Sequence, residues 1–362
     1  MKHIYKILFL IVLLPLSVVA NNEKFKGKHT KEKKIHKEYT VNADAGLKID
    51  NSYGSITIVT WNQNKTVIDV IIKTNGNNEE KVIEKLKEID VDFTANGSKV
   101  TAITNFGSKK GGWSSWFGSG NNNVSVEVNY TIKIPVTNSV NLHNDYGSIT
   151  LDKLEGNASI HCDYGQLIIG ELLAENNSLN FDYTNNSTIQ YMKSGKITAD
   201  YSGFTLGKAD KLQINADYTK SEIGEVEDVN YNNDYGKITI DKAKHVVGNG
   251  DYIHHNFGSI SGSLDVNTDY GTVKIDTVLP SVRKVILKLN YTSATIGMAN
   301  GLNFNFEMDL NYTNIKGKEQ FQFTHKTEKN SSKIYLGHYG KKDSGNTINI
   351  NANYGGVTFK NN

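Results

Sequence analysis

Cysteine, proline and arginine are nearly missing from this chain of 362 residues, which has one cysteine (Cys162), three prolines and one arginine (Arg283). A single cysteine excludes an intrachain disulfide and every zinc cluster built on cysteines. Net charge is also scarce. Without the first twenty residues the chain loses Lys2 and Lys6 and no acid, so its 40 basic residues become 38, equal to the 38 acidic ones. No nucleic acid is expected as a partner, because that affinity rests on neutralising phosphates. What the chain does hold, 38 % hydrophobic and 10 % aromatic residues, suffices for a core despite 32 glycines. Its length exceeds one ordinary core and points to two domains or an elongated repeat.

The one long apolar run lies at the start. Residues 1–20, MKHIYKILFLIVLLPLSVVA, combine a lysine-bearing opening, an apolar stretch from Ile7 to Leu14 and small residues at Val18 and Ala20. That order reads as a secretory signal peptide, and the run is short for a membrane span of about 20 residues. Cys162 lies far from the cleavage point, so no lipid anchor is expected there, and no transmembrane segment is expected after signal removal. The expected location is outside the cytoplasm: periplasmic, outer-membrane-associated or extracellular. Residues 21–38, with lysines at 24, 26, 28, 31, 33, 34 and 37, read as a basic, solvated linker.

A repeat organises the rest. Asp or Asn, then Tyr, then often a small residue precede alternating Ile, Val or Leu, with tyrosines at 146, 164, 183, 201, 218, 235, 252, 270, 291 and 312. The spacing stays between 17 and 21 residues, and outlying copies stand at 51–58 and 351–359. Each unit reads as strand, turn, strand, as in 144–162 with its turn at Glu155-Gly156-Asn157. Such a unit has no room for a crossover helix and cannot bury an apolar face alone. The expected fold is therefore all-β with one short helix: a parallel β-solenoid of about 18-residue, two-strand coils over 136–362, with an N-terminal β-rich capping region.

Side-chain parity sharpens the expectation. Before the tyrosine the apolar positions share its parity (Val140 and Leu142 with Tyr146; Leu212 and Ile214 with Tyr218), whereas after it they shift by one, to Ile149 and Leu151 or Ile223. With the shift placed at the following residue, often Gly (147, 165, 236, 271, 355), the rings of Tyr146, Tyr164, Tyr183, Tyr201, Tyr218, Tyr235, Tyr252, Tyr270, Tyr291 and Tyr312 point inward and stack as a ladder. Rings facing water would instead offer a sugar-binding platform. Asp145, Asp163, Asp182, Asp200, Asp217, Asp234, Asp251 and Asp269 then form an outward column whose neighbours repel by roughly 1 kcal/mol per pair in water. A shared cation such as Ca²⁺ is one account of that column. The other is an Asx turn, which Asn290 and Asn311 at the same position favour.

Residues 39–135 differ. Alternating strands are joined by a helix over 77–89, with Val82, Ile83, Leu86 and Ile89 on one face and Glu79 and Glu80 near its N-terminus. This part is expected to cap an end of the coils. A Gly/Ser loop at 105–123 carries Trp113, Trp116 and Phe117, a candidate contact for a surface glycan, a membrane or an envelope protein.

Tests for chemistry return little. The ten histidines include no HExxH or HxxxH, so no metal site is indicated, and neither GxSxG nor a phosphate-binding glycine loop followed by a helix is present. Cys162 shares the parity of Ile160 and reads as a buried core thiol. Neither catalysis nor a cofactor is expected.

The runs VSVEVNYTIKIPVTNSVNLHNDYGSITL at 124–151, GLKIDNSYGSITIVTW at 46–61 and TININANYGGVTF at 347–359 resemble an adhesin-like, β-strand-repeat family of bacterial envelope proteins common in Bacteroidetes. The resemblance spans nearly all of the chain after residue 20. It implies an exported β-solenoid with no known catalytic residues, so no active site carries over. The first expectation is a non-catalytic scaffold or adhesin-like protein. The alternatives are a carbohydrate-binding or polysaccharide-processing module along a flat face, and an envelope-stress or regulatory component with a protein partner. An uncovered C-terminal coil is expected to invite end-to-end pairing.

Overall fold

A computed structural model describes residues 25–107 and 124–361. The expected leader at 1–20 and the loop residues Trp113, Trp116 and Phe117 lie outside the described residues. What is described is all-β with one helix: twenty-six strands joined in one open, hydrogen-bonded sheet. No described helix is long and apolar enough to cross a membrane.

The repeat units pair in parallel, each strand with its counterpart in the next unit. Ser139–Asp145 pairs with Ala158–Asp163, and Ser148–Leu154 with Gln166–Leu172, so each unit feeds two ladders. Between residues 187 and 269 the expected mid-unit turn vanishes, and it returns at 279–283. Single strands of 14 to 16 residues, such as Gly203–Asp217 and Lys220–Asp234, run through both ladders. Their burial alternation slips twice midway, at Gly207-Lys208 and at Asp210-Lys211 in Gly203–Asp217, on either side of the buried Ala209.

Ile, Leu, Val and Phe on the inner parity form one continuous core from Val41 to Phe359. Side-chain volumes compensate between neighbouring units. Tyr231 fills the place that Gly248 leaves empty, since a Cβ on Gly248 would stand 2.2 Å from the Tyr231 hydroxyl. Cys162 is buried in this core, as its parity implied.

Both ends are closed by antiparallel strands. At the N-terminal end Ser125–Pro135, Lys65–Gly76 and His29–Thr40 follow one another in antiparallel order beyond the first ladder strand. Residues 29–38, expected as linker, are thus an edge strand over their full length. The apolar alternation there is reduced to Ile35 and Tyr39, and the intervening positions are charged. Lys31 and Lys33 meet Glu79 and Asp90 at 2.5 and 2.8 Å. Lysines on an outer strand also discourage pairing with another sheet. The helix α1, Glu79–Glu88, packs on this region with Val82 fully buried, capped by the Asn78 side chain, which accepts the Lys81 N–H.

The C-terminal end departs from simple succession. Thr347–Asn353 lies between Lys284–Asn290 and Phe304–Asn311, parallel to both, so the last repeat copy is inserted between two earlier ones. Ser332–Tyr339 and Phe321–Lys329 then pair antiparallel beyond Phe304–Asn311 and cover it. The expected bare terminal edge is thus covered at Phe304–Asn311, whereas Asn314–Lys316 in the same unit pairs with Gly356–Asn361 alone among the described strands.

Candidate functional site

The tyrosines correct the inward expectation. Twelve of them, Tyr53, the ten of the array and Tyr354, adopt left-handed backbone conformations with φ between 46° and 60°. The tyrosine is therefore the corner itself, and strand parity does not pass through it. The inward place falls to the next residue, and Thr184, Ser202, Thr219, Ile253, Thr292 and Thr313 are all buried there. The parity shift was legible, but it belonged one residue earlier. An apolar Ile253 after Tyr252 was the signal in the sequence.

Turned outward, the rings still form a ladder. Tyr53, Tyr146, Tyr164, Tyr183, Tyr201, Tyr218, Tyr235, Tyr252, Tyr270, Tyr291, Tyr354 and Tyr312 stack in that order, with centroids 4.8 to 5.2 Å apart and planes within 10°. At the strand spacing of about 4.8 Å the column extends roughly 50 Å. From Tyr164 onward the stacked tyrosines are 47 to 63 % exposed. Tyr354 between Tyr291 and Tyr312 reflects the inserted last copy.

Stacking decides what the column can offer. Inner rings have a neighbour on each face, so solvent meets edges and hydroxyls. A sugar platform uses open faces, and the ladder leaves few. At one end Phe106 stands edge-on to Tyr53 at 5.6 Å and 87°; at the other Tyr312, the most exposed ring, stacks on Tyr354 alone. Partial desolvation, and after it neighbouring phenols and aspartates, raise the titration of Tyr183, Tyr235 and Tyr270 above the usual phenol range. These hydroxyls stay protonated.

The aspartate column beside the rings is built differently from an Asx turn. Oδ1 of Asp163, Asp182, Asp200, Asp217, Asp234 and Asp251 each accepts the backbone N–H of the next aspartate in the column, at 2.7 to 3.1 Å. Each tyrosine N–H except that of Tyr312, which donates to Ser331, donates to the carbonyl of the Asp or Asn in the adjacent unit, as Tyr164 does to Asp182 at 3.0 Å. The acceptor thus lies one unit away rather than two residues on. Bonding each carboxylate to an N–H offsets part of the repulsion along the column. Asn290 continues the line by donating to Asp269 Oδ2 at 3.3 Å.

At the N-terminal end the column gains imidazoles. His143 and His161 are register partners in adjacent strands, their rings 4.8 Å apart at 78°. His143 Nε2 lies 3.2 Å from Asp145 Oδ1, and His161 Nε2 lies 3.3 Å from Asp163 Oδ2. Motif search passed over this pair because its spacing, 18 residues, is that of the repeat rather than of a helix or hairpin.

A separate open groove of about 640 Å³ runs over one flank, lined by Glu175, Asn177, Lys196, Lys211, Gln213, Asp228, Asn230 and His245. Its Glu175 carboxyl is held below the usual range by the hydrogen bond and charge of Lys193. Burial pushes the Cys162 thiol up to about 12, which removes the thiolate a nucleophile needs.

No family model matches the chain, and no curated protein does. Among solved structures the chain is similar to a "putative cell adhesion protein" from Clostridium sporogenes, at 14 % identity over 92 % of this chain and 100 % of that one, TM-score 0.18. It is also similar to a "putative adhesin" from Bacteroides fragilis, at 9 % identity over 91 % and 97 % of the two chains, TM-score 0.24. A "putative lipid binding protein" from Parabacteroides distasonis shares 8 % identity over 90 % and 96 %, TM-score 0.29. At these scores the likeness assigns neither an activity nor a ligand.

Proposed function

We propose that this chain is an exported, non-catalytic β-solenoid of the cell envelope, a stiff adhesin-like scaffold that holds its two capped ends apart. The carrying observation is the unbroken column of twelve stacked tyrosines with hydrogen bonds between units at each step. A ladder repeated with so little variation resists bending and leaves little local freedom for a catalytic cleft. Export rests on residues 1–20.

The test joins location, shape and activity. Cell fractionation should find the protein outside the cytoplasm without its leader, and small-angle scattering should give an elongated particle. Cytoplasmic retention, a globular scattering profile, or turnover in a polysaccharide hydrolase and lyase screen would each overturn the reading.

The flank groove favours one second reading, glycan binding without cleavage, because its amides and paired charges suit sugar hydroxyls. A glycan array decides it: binding lost in Asn230→Ala and Gln213→Ala supports the groove, and binding unchanged in both removes it.

A further inference from the structure

We propose that His143, His161 and Asp145 form a binding site for one divalent transition-metal ion of the zinc class, clamping two adjacent coils at the N-terminal end of the tyrosine edge.

The donor set is the first reason. Two imidazoles and a carboxylate are ligands that zinc, nickel and copper share, and the candidate donor atoms of these three residues lie within 4.8 Å of one another. Ligands about 2.0 to 2.2 Å from a tetrahedral ion stand roughly 3.3 Å apart. His143 Nε2 and Asp145 Oδ1 already have that separation, at 3.2 Å. His161, a half-exposed side chain on the neighbouring strand, closes the remainder by rotation.

The surroundings fit a metal more closely than a simple ion pair. Asp50 Oδ1 lies 3.5 Å from His143 Nδ1, the nitrogen turned away from Asp145, and Asp163 lies 3.3 Å from His161. Carboxylates behind metal-bound imidazoles fix ring orientation in such centres. Asp145 is also set apart from the column. The carboxylates from Asp163 to Asp251 accept N–H groups of the next unit, whereas Asp145 turns to His143.

The repeat supplies an internal comparison. The register position of His143 and His161 is filled in the following units by Asn180, Thr198, Asn215, Asn232, Asn249 and Asn267. Architecture alone is served by an amide or hydroxyl there. Two edge-on imidazoles on neighbouring strands beside three carboxylates occur at one place only among the described residues, which is what a discrete site requires.

The experiment uses untagged protein with Zn²⁺ by calorimetry, Co²⁺ by visible absorption and thermal melting with and without Zn²⁺. Expected are one equivalent bound, a ligand-field band with Co²⁺ and a rise in Tm. His143→Asn and His161→Asn, which place the residue later units already carry, should fold normally, lose the band and bind at least about tenfold more weakly. His254→Asn, an exposed histidine hydrogen-bonded to Thr272, should match the wild type. Failure of the wild type to bind Zn²⁺ below about 0.1 mM, or undiminished binding in the His143→Asn, His161→Asn double variant, overturns the proposal. Neither outcome touches the scaffold reading, which rests on shape and location.

Discussion

The hydroxyl of Tyr231 stands 2.6 Å from Nδ1 of His255, and both side chains are buried in the core between the two ladders. Burial, reinforced by the neighbouring His254, lowers the His255 titration from 6.5 to about 3. Above pH 6.5 both folded and unfolded chains carry this imidazole neutral. Between pH 6.5 and about 3 only the unfolded chain takes up the proton, so stability falls with pH by up to about 1.4 kcal/mol per unit. Urea unfolding at pH 6.5 and 5 should therefore differ by about 2 kcal/mol more in the wild type than in His255→Phe. Phe204 already occupies the corresponding inward position three residues after Tyr201. Equal slopes in the two proteins would refute this assignment.

Tyr218 separates the two contributions at each corner. Its ring lies between Tyr201 at 4.8 Å and Tyr235 at 4.9 Å, while its backbone has φ of 52°. Removing the ring in Tyr218→Ala should cost about 1–3 kcal/mol, from two stacked contacts. Tyr218→Gly loses the same contacts but relieves the left-handed backbone, so it should be more stable than the alanine variant by about 1 kcal/mol. A glycine variant as stable as the wild type in chemical denaturation would mean that the column contributes no net stacking.

Gly147 is required for closeness rather than for an unusual backbone. A Cβ there would stand 1.6 Å from the Gly54 carbonyl oxygen, in the strand pair stacked beneath. Gly147→Ala should destabilise by more than about 3 kcal/mol or prevent accumulation of soluble protein. Gly301→Ala makes the control. Gly301 has φ of +81° with nothing within 4 Å of its would-be Cβ, so only the backbone preference is lost, about 1 kcal/mol. Equal melting temperatures for the two variants would contradict the close stacking of Gly147 on Gly54.

The inserted last copy makes the C-terminus indispensable. Ile348, Ile350, Ala352, Val357 and Phe359 are buried between neighbouring units, a burial on the order of 10 kcal/mol. A chain stopped at Gly345 should lose ordered structure from Phe304 onward, because that strand loses its parallel partner while Lys284–Asn290 keeps Ser263–Asp269; the loss is seen as proteolysis confined to the residues after Met298. Wild-type protease resistance in the shortened chain would overturn the strand order.

Much of this architecture was legible because the repeat states it many times. The all-β class, the single helix near 77–89, the parallel stacking of units and the buried Cys162 all follow from period and parity. What the sequence withheld was local or non-sequential. Nothing short of an apolar residue such as Ile253 at the following position reveals that tyrosine, rather than its small neighbour, takes the left-handed corner. The strand at His29–Thr40 is hidden by its charge, because Lys31, Lys33 and Lys37 share the face of Ile35 and Tyr39. The neighbourhood of His143 and His161 emerges only when the repeat period is used as a ruler for ligands.

Strand Phe304–Asn311 has its parallel partner in residues that are made about forty positions later. A chain emerging from the ribosome can add its earlier units one by one as each arrives. That growth must halt after Ser293–Met298 until Gly356–Asn361 arrives to form the next layer. The order of the layers thereby departs from the order of synthesis, and a copy could be duplicated among the earlier units, where each layer meets its sequence neighbours, more easily than beside Ser293–Met298.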